Sequence, residues 1–220
     1  MSTGEKILTG RVFWLLVAAC CFFCTPGFSQ YDGYHAVSNL DTFKQRFKTE
    51  SSKVLSIESS FVQDKVLTAL TEKITSNGKF WFKRSNKVRI EYVSPFAYTM
   101  IMNGDKLLLR DGQKENRVNV KSNKLFQQVN RIVLDCVQGT ILDSKDFSVR
   151  YFENDKTFLM ELTPKTKIML EFFQTIVLKV DSKNFSVNSI EMIEQTGDRT
   201  TISFLDKKIN TQFADAVFAL

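Results

Sequence analysis

The strongest constraint on the fold is an alternation of apolar and polar residues that recurs along most of the chain. It appears in short runs at residues 55–63, 78–84, 88–92, 98–102, 107–109, 118–120, 147–151, 158–162, 176–180, 190–192 and 200–204. Alternation with a period of two is typical of strands with one buried face, and turn residues such as Asn103-Gly104 and Asp111-Gly112 separate several runs. The pattern therefore predicts an antiparallel sheet of about ten or eleven strands with one face in water.

Two segments interrupt the alternation with the spacing of amphipathic helices. One covers residues 40–53, and the other covers residues 124–138 and is followed by Gly139, which suits a helix end. A long twisted sheet tends to curl, and its apolar face needs a cover. The predicted fold class is mainly β with α: an unclosed antiparallel β-barrel with helices covering a hydrophobic cavity. No Pro- or Gly-rich linker divides residues 39–220, which are therefore predicted to form a single domain.

The first 29 residues have the pattern of a secretory signal peptide. Lys6 and Arg11 precede an uncharged apolar run, and small residues at Gly27 and Ser29 suit cleavage before Gln30. The apolar run is short for a transmembrane anchor. Residues 17–20 also resemble the signal that attaches lipid to a cysteine, here Cys20, so this alternative stays open. Residues 30–38 show no periodicity and are interpreted as a loose leader.

Charge and cysteine content limit the partners of the chain and the ways in which its fold can be stabilised. The net charge is +6 at pH 7, but an exported chain has little access to nucleic acid, and an anionic membrane surface or an acidic partner suits the charge better. An ordinary soluble surface is the simplest explanation of the charge. Removal of the signal peptide leaves Cys136 as the one cysteine, so no internal disulfide is expected. Stability must then come from burial of an apolar core, and the chain has 20 Phe residues for one.

Motifs of enzymes and metal sites are missing from the sequence. His35 is its one histidine, and there is no HExxH, GxSxG or Gly-rich phosphate-binding motif. We therefore expect no enzyme activity, no metal and no cofactor. The sequence offers apolar volume instead, which is typical of a binding protein.

Alternate residues of a strand point to the same face of the sheet, and this parity gives the candidate site. The residues expected on the inner, apolar face are Phe61, Phe80, Phe82, Ile90, Tyr92, Met100 and Met102. Arg84 shares their parity, which would point its guanidinium inward, but it could equally lie solvated in the turn 84–86. Parity alone leaves both orientations of Arg84 open.

Three segments carry a resemblance to a known family. They are Ser59-Ser60-Phe61-Val62-Gln63, the stretch from Gly78 to Pro95, and Met102-Asn103-Gly104-Asp105-Lys106-Leu107. In their order and spacing they resemble the outer-membrane lipoprotein carrier proteins, the LolA family. A weaker resemblance continues through the rest of residues 39–218.

The resemblance implies a periplasmic carrier that binds the acyl chains of lipoproteins and moves them from the inner to the outer membrane. Its implied partners are acylated lipoproteins, an inner-membrane lipoprotein-releasing transporter and an outer-membrane acceptor, with the carrier a monomer. It also implies that Arg84 bonds helix backbone and holds the covering helix closed, although Ser85 replaces the usual proline. The alternatives are a lipid-anchored acceptor or an envelope sensor that binds lipoproteins, an interaction protein with a filled core, and an uncharacterised hydrolase.

Overall fold

The computed structural model describes residues 31–70, 72–119 and 124–220. The predicted signal peptide, including Cys20, lies outside the described residues. The chain divides into two compact units, residues 1–35 and 36–220. In the first unit, residues 31–34 form a turn in which the Tyr34 N–H donates to the Tyr31 carbonyl. Apart from His35, which begins a short strand, all further description concerns the second unit.

Within the described residues, the fold comprises twelve strands and three α-helices. The strands are β1 (His35–Ala36), β2 (Ser56–Leu67), β3 (Glu72–Lys83), β4 (Lys87–Ser94), β5 (Tyr98–Asn103), β6 (Lys106–Asp111), β7 (Lys114–Asn119), β8 (Phe147–Glu153), β9 (Thr157–Pro164), β10 (Phe173–Asp181), β11 (Val187–Glu194) and β12 (Arg199–Ile209). The helices are α1 (Leu40–Ser52), α2 (Lys124–Gln138) and α3 (Lys167–Leu170), with 3-10 turns at Thr140–Asp143 and Asp215–Phe218.

The strands form one antiparallel sheet in the order β1-β8-β9-β10-β11-β12-β2-β3-β4-β5-β6-β7. Neighbouring strands are mostly consecutive hairpins, and the pairing of β12 with β2 joins the two halves of the sheet. Because β1 and β7 stand at opposite ends of this order, the sheet is unclosed. The predicted fold class is confirmed, with twelve strands instead of ten or eleven and with α3 as an additional short helix.

Helix α1 covers the half of the sheet formed by β8 to β11. The Asn39 side chain accepts a hydrogen bond from the Thr42 N–H at 3.0 Å, which satisfies one free donor of the first turn. Phe43 and Phe47 on the inner side of the helix are buried. The Phe43 ring lies 4.5 Å from that of Phe158, between ring centroids. Apolar spacing therefore explains both the helix and the face that it covers.

Helix α2 contacts both halves of the apolar interior. Its buried Ile132 and Cys136 belong to the same core as α1, whereas Leu134, with Val133 and Val137, packs against β2 to β6. None of the helices within the described residues is both long and apolar enough to cross a membrane.

The C-terminal segment covers part of the outer face of the sheet. Phe218 is fully buried against Ile101 and Leu108, which point outward from β5 and β6. Asp215 forms ion pairs with Lys83 and Lys87. The sheet therefore has an apolar contact on both faces here, while its larger apolar interior remains on the inner side.

Candidate functional site

The seven residues predicted for the inner face lie together in one apolar cluster beneath α2. Phe61, Phe80, Phe82 and Met102 are buried, and Ile90, Tyr92 and Met100 are partly buried against them. The cluster is covered by Leu134, Val133 and Val137 of α2. The structure thus places all seven on the face that the helices cover, and Phe80 alone among them borders the cavity described below.

Gly78 allows the aromatic side chains of this cluster to approach the backbone. A Cβ atom at this position would lie 2.1 Å from the Glu91 carbonyl oxygen and 2.8 Å from the Phe61 ring. Phe61 pairs across the strands with Gly78, and its ring packs edge-on against Tyr92 at 5.1 Å between centroids. A side chain at position 78 would therefore displace the Phe61 ring from the inner face.

Tyr92 of β4 is oriented by a hydrogen bond to Gln63 of β2. Its hydroxyl donates a hydrogen bond of 2.9 Å to Gln63 Oε1. Burial raises the pKa of Tyr92 above its usual value. The Phe-x-Gln segment 61–63 therefore supplies both an apolar ring and the acceptor that orients Tyr92.

A small apolar cavity of about 60 Å³ lies between the helices and the sheet. Its walls come from α1 and the following loop, α2, β2, β3, the β10–β11 loop, β11 and β12. Its lining residues are Glu50, Ser51, Val54, Ile57, Ser59, Phe80, Val133, Cys136, Val137, Asn184, Phe185, Ser186, Val187, Ile190, Phe204, Lys207 and Ile209. The volume is well below the ~150 Å³ of a cavity that holds benzene. The cavity does not fit a long acyl chain unless the helices move.

Arg84 bonds the end of α1 beside this cavity. Its Nε donates to the Val54 carbonyl at 2.7 Å, and its Nη2 donates to the carbonyls of Ser52 at 2.7 Å and Ser51 at 3.0 Å. The carbonyls at a helix C-terminus lack partners within the helix and carry partial negative charge, which favours a cation. The guanidinium thus contacts the helix end and is not left to solvent in the turn.

Gly139 brings the end of α2 close to α1. Its φ of 75° lies in the left-handed region, and a Cβ there would lie 2.9 Å from Ser51 Cβ. Ser51 therefore meets both the α2 end and, through its carbonyl, Arg84. The contact between the two helices and the arginine contact converge on one turn of α1.

Lys207 forms a polar part of the cavity rim. An irregularity between Leu205 and Lys208 in the β12–β2 pairing, with Asp206 in the left-handed region, places Lys207 toward the β10–β11 loop. Its ammonium donates to Ser186 Oγ at 2.6 Å, to the Val187 carbonyl at 2.9 Å and to Asn188 Oδ1. Burial lowers the pKa of Lys207 to about 8, and the nearby Asp181 carboxylate opposes this effect.

Sequence reasoning did not find the rim residues. Phe185 reaches the cavity because its own backbone is left-handed, and Lys207 reaches it because β12 is irregular between Leu205 and Lys208. Neither feature produces a periodic pattern in the sequence. Within the described residues, no three His, Cys, Asp or Glu side chains come together as the ligands of a metal ion would. The arrangement offers apolar contacts, a few polar groups and two covering helices, which suits binding of an amphiphile.

Comparison with known proteins gives a family-model match and several similar proteins. Residues 52–220 match the family model of the outer membrane lipoprotein carrier protein LolA. An outer-membrane lipoprotein carrier protein of Pseudomonas paraeruginosa is 32% identical over 134 residues, covering 60% of this chain and 61% of its own length. The chain thus spans less than two thirds of that relative.

Two further comparisons extend over more of the chain. An outer-membrane lipoprotein carrier protein of Xanthomonas oryzae pv. oryzae is 26% identical over 206 residues, covering 92% of this chain and 89% of its own length. Among solved structures, a LolA superfamily protein from Nitrosomonas europaea aligns with a TM-score of 0.43 at 12% identity. That alignment covers 80% of this chain and 97% of the other.

Proposed function

Because the chain belongs to the outer membrane lipoprotein carrier protein LolA family, we propose that it binds the acyl chains of lipoproteins beneath α1 and α2 and carries them through the periplasm. It takes its cargo from an inner-membrane lipoprotein-releasing transporter and passes it to an outer-membrane acceptor. It acts as a monomeric binding protein, with no enzymatic step, no cofactor and no nucleic acid.

The observation that carries this proposal is an apolar inner face covered by helices that leave little space beneath them. The free volume is about 60 Å³, and carbonyls at the end of α1 and just beyond it accept hydrogen bonds from two side chains, Arg84 and Asn210. A face of this kind accepts a chain-like ligand when the helices lift. The structure then corresponds to the empty, closed carrier.

The energetics permit an acyl chain to replace the helix on the sheet. Burial is worth about 0.8 kcal/mol per methylene, so a 16-carbon chain supplies roughly 12 kcal/mol. Lifting α2 exposes Ile132, Val133, Leu134 and Val137, at about 1.5–3 kcal/mol each. Relative to cargo exposed to water, two chains therefore more than offset loss of the helix contacts, and the closed state returns when the cargo leaves.

Extraction of a lipopeptide from a membrane tests the proposal. The probe is a short peptide whose N-terminal cysteine carries two palmitoyl esters on a thioether-linked glycerol, presented in phospholipid vesicles. We expect the exported protein to remove it from the vesicles as a soluble one-to-one complex. Protein that leaves the lipopeptide in the vesicles contradicts the proposal.

A pair of neighbouring substitutions on β5 identifies the binding face. Met100 lies in the inner cluster, and Thr99 lies on the other side of the same strand. Met100→Gln buries an amide against the acyl chains at a cost of about 1–3 kcal/mol, so we expect at least about fivefold weaker binding. Thr99→Gln is the matched control and should bind as the wild type does. Equal effects of the two changes would place the ligand elsewhere.

The mass of the protein recovered after export separates the carrier from the lipid-anchored acceptor. Cleavage before Gln30 gives a mature chain without lipid, as the carrier requires. Lipid on Cys20 that disappears in Cys20→Ala would instead support the anchored acceptor.

A further inference from the structure

Ser59 is a buried hydroxyl without a hydrogen-bond partner on the inner face of the sheet. It lies on β2, pairs across the strands with Phe80, and is 3% exposed. Its Oγ has no hydrogen-bond partner among the described residues. A buried hydroxyl left without a partner costs about as much as a lost hydrogen bond, so its place in an apolar wall calls for an explanation.

The hydroxyl belongs to the wall of the cavity. Ile57, Phe80 and Phe204 line the cavity around it. Lys207 also borders the cavity, but its ammonium already donates to Ser186, Val187 and Asn188. Ser59 therefore presents a hydrogen-bonding group to whatever occupies the cavity.

An alkyl chain has no atom that can accept a hydrogen bond from the Ser59 hydroxyl, whereas the ester linkage at the head of an acyl chain has one. An ester carbonyl accepts a hydrogen bond from a hydroxyl, and it lies next to methylenes that suit the surrounding apolar wall. In the empty protein a single water molecule has room to serve the hydroxyl, because one water needs only about 10–15 Å³. The ligand carbonyl then takes the place of that water.

We propose that Ser59 is a specificity-determining residue that donates a hydrogen bond to an acyl ester carbonyl of the cargo and so sets where the polar end of the lipid lies. The inference rests on the proposed function, because it assigns one contact within the same site. The ester end lies at the cavity between α1, the β10–β11 loop and β12. The hydrocarbon extends beneath α2 toward the cluster around Phe61 and Met102.

A matched pair of lipopeptides tests this contact. One is the dipalmitoyl ester lipopeptide described above, and the other carries ether linkages, which remove the two carbonyl groups and leave the chains in place. A neutral hydrogen bond is worth roughly a 3- to 10-fold change in affinity. We expect wild-type protein to bind the ester form more tightly by that factor and Ser59→Ala to bind both forms equally.

Two further variants serve as controls. Ser60→Ala removes the adjacent hydroxyl, which points to the other face of β2, and should keep the ester preference. Ser59→Cys keeps the size of the side chain while weakening the donor, so it should lose most of the preference even if alanine perturbs packing.

The outcomes separate the contact from the carrier function. Equal binding of the two lipopeptides by wild-type protein, or an unchanged preference in Ser59→Ala, overturns the Ser59 contact and leaves the carrier function standing. A loss in Ser59→Ala and Ser59→Cys that is equal for both lipopeptides assigns Ser59 to packing and also overturns it. Failure of wild-type protein to bind either lipopeptide refutes the carrier function itself.

Discussion

Replacing Arg84 by leucine should release the end of α1 without unfolding the sheet. The variant loses the three side-chain contacts to the carbonyls of Val54, Ser52 and Ser51. The backbone contact of the same residue, from the Arg84 N–H to the Leu55 carbonyl at 2.8 Å, does not depend on the side chain. The change therefore acts on the helix end and leaves the strand pairing in place.

The size of the effect follows from these contacts. The contacts to the Val54 and Ser52 carbonyls are short, and the contact to Ser51 shares Nη2 with the one to Ser52. Because Arg84 is only half-buried, water can form hydrogen bonds with the carbonyls that the variant frees. Hydrogen bonds to a charged group are worth about 1.5–3 kcal/mol, and the helix dipole adds about 0.3–1 kcal/mol. After allowance for solvent, we expect a loss of about 2–3 kcal/mol, or roughly 30- to 150-fold in the ratio of closed to open forms.

Amide hydrogen exchange measures that ratio directly. The Lys53 and Val54 amides donate to the carbonyls of Glu50 and Ser51, and they exchange when the helix end opens. Arg84→Leu should raise their exchange by the factor above, and Arg84→Lys should fall between it and the wild type because an ammonium lacks the planar fork. Arg110→Leu, which breaks an ion pair on an outer hairpin, should leave them unchanged.

Unchanged exchange in Arg84→Leu would refute this account, because the helix end would then be held by its apolar contacts and by Asn210, whose Nδ2 donates to the Lys53 carbonyl at 3.0 Å. Transfer of lipopeptide from donor vesicles to the protein and on to acceptor vesicles gives a second readout. An easily opened carrier should load normally and release poorly, since its emptied closed state is no longer favoured. Poor loading with normal release would instead mean that Arg84 contacts the cargo.

Three further changes act on other parts of the fold. Gly78→Ala should lower the free energy of unfolding by about 2–4 kcal/mol in a urea titration, because its Cβ meets backbone and a packed ring; Asn77→Ala, an exposed neighbour, should cost little, and equal losses would contradict the clash. The pKa of Lys207 falls from 10.5 when unfolded to about 8 when folded, so the folded state releases this proton first and the free energy of unfolding should rise between pH 8 and 10. That rise is at most about 1.4 kcal/mol per pH unit and should be absent in Lys207→Gln; equal slopes in the two proteins would exclude it. Phe218→Ala should cost about 3–5 kcal/mol of unfolding free energy yet leave lipopeptide binding unchanged, because Phe218 packs on the outer face; weaker binding would show that the two faces are coupled.

The helices and most strands were readable from the sequence because their apolar residues recur with a clear period. The prediction of a helix at 124–138 matches α2, and that of a helix at 40–53 ends one residue beyond α1. The hairpin of β2 and β3 is longer than predicted. Its outer half, where Val66 pairs with Lys73, is mostly polar and depends on pairing between strands more than on burial.

Other errors arise where the chain changes direction. The alternation predicts Leu55 on the inner face, but this side chain is 57% exposed, because β2 begins only at Ser56 after the chain leaves α1. Lys207 reaches the cavity because β12 is irregular at Asp206, which no pattern of polarity indicates. The inner-face residues of the site could thus be predicted from the alternation within strands, whereas the residues placed by local backbone geometry could not.

The pairing of β12 with β2 has a consequence for how the chain reaches its folded state. This pairing brings residue 209 beside residue 57, so the two halves of the inner face cannot join until almost the whole chain is available. Contacts between residues so far apart in sequence close large loops and form slowly. During this time the hairpins of each half can form on their own, with their apolar sides still uncovered. We therefore expect the newly made chain to pass through a slow stage in which it is most prone to aggregate, and it completes its inner face only at the final step of folding.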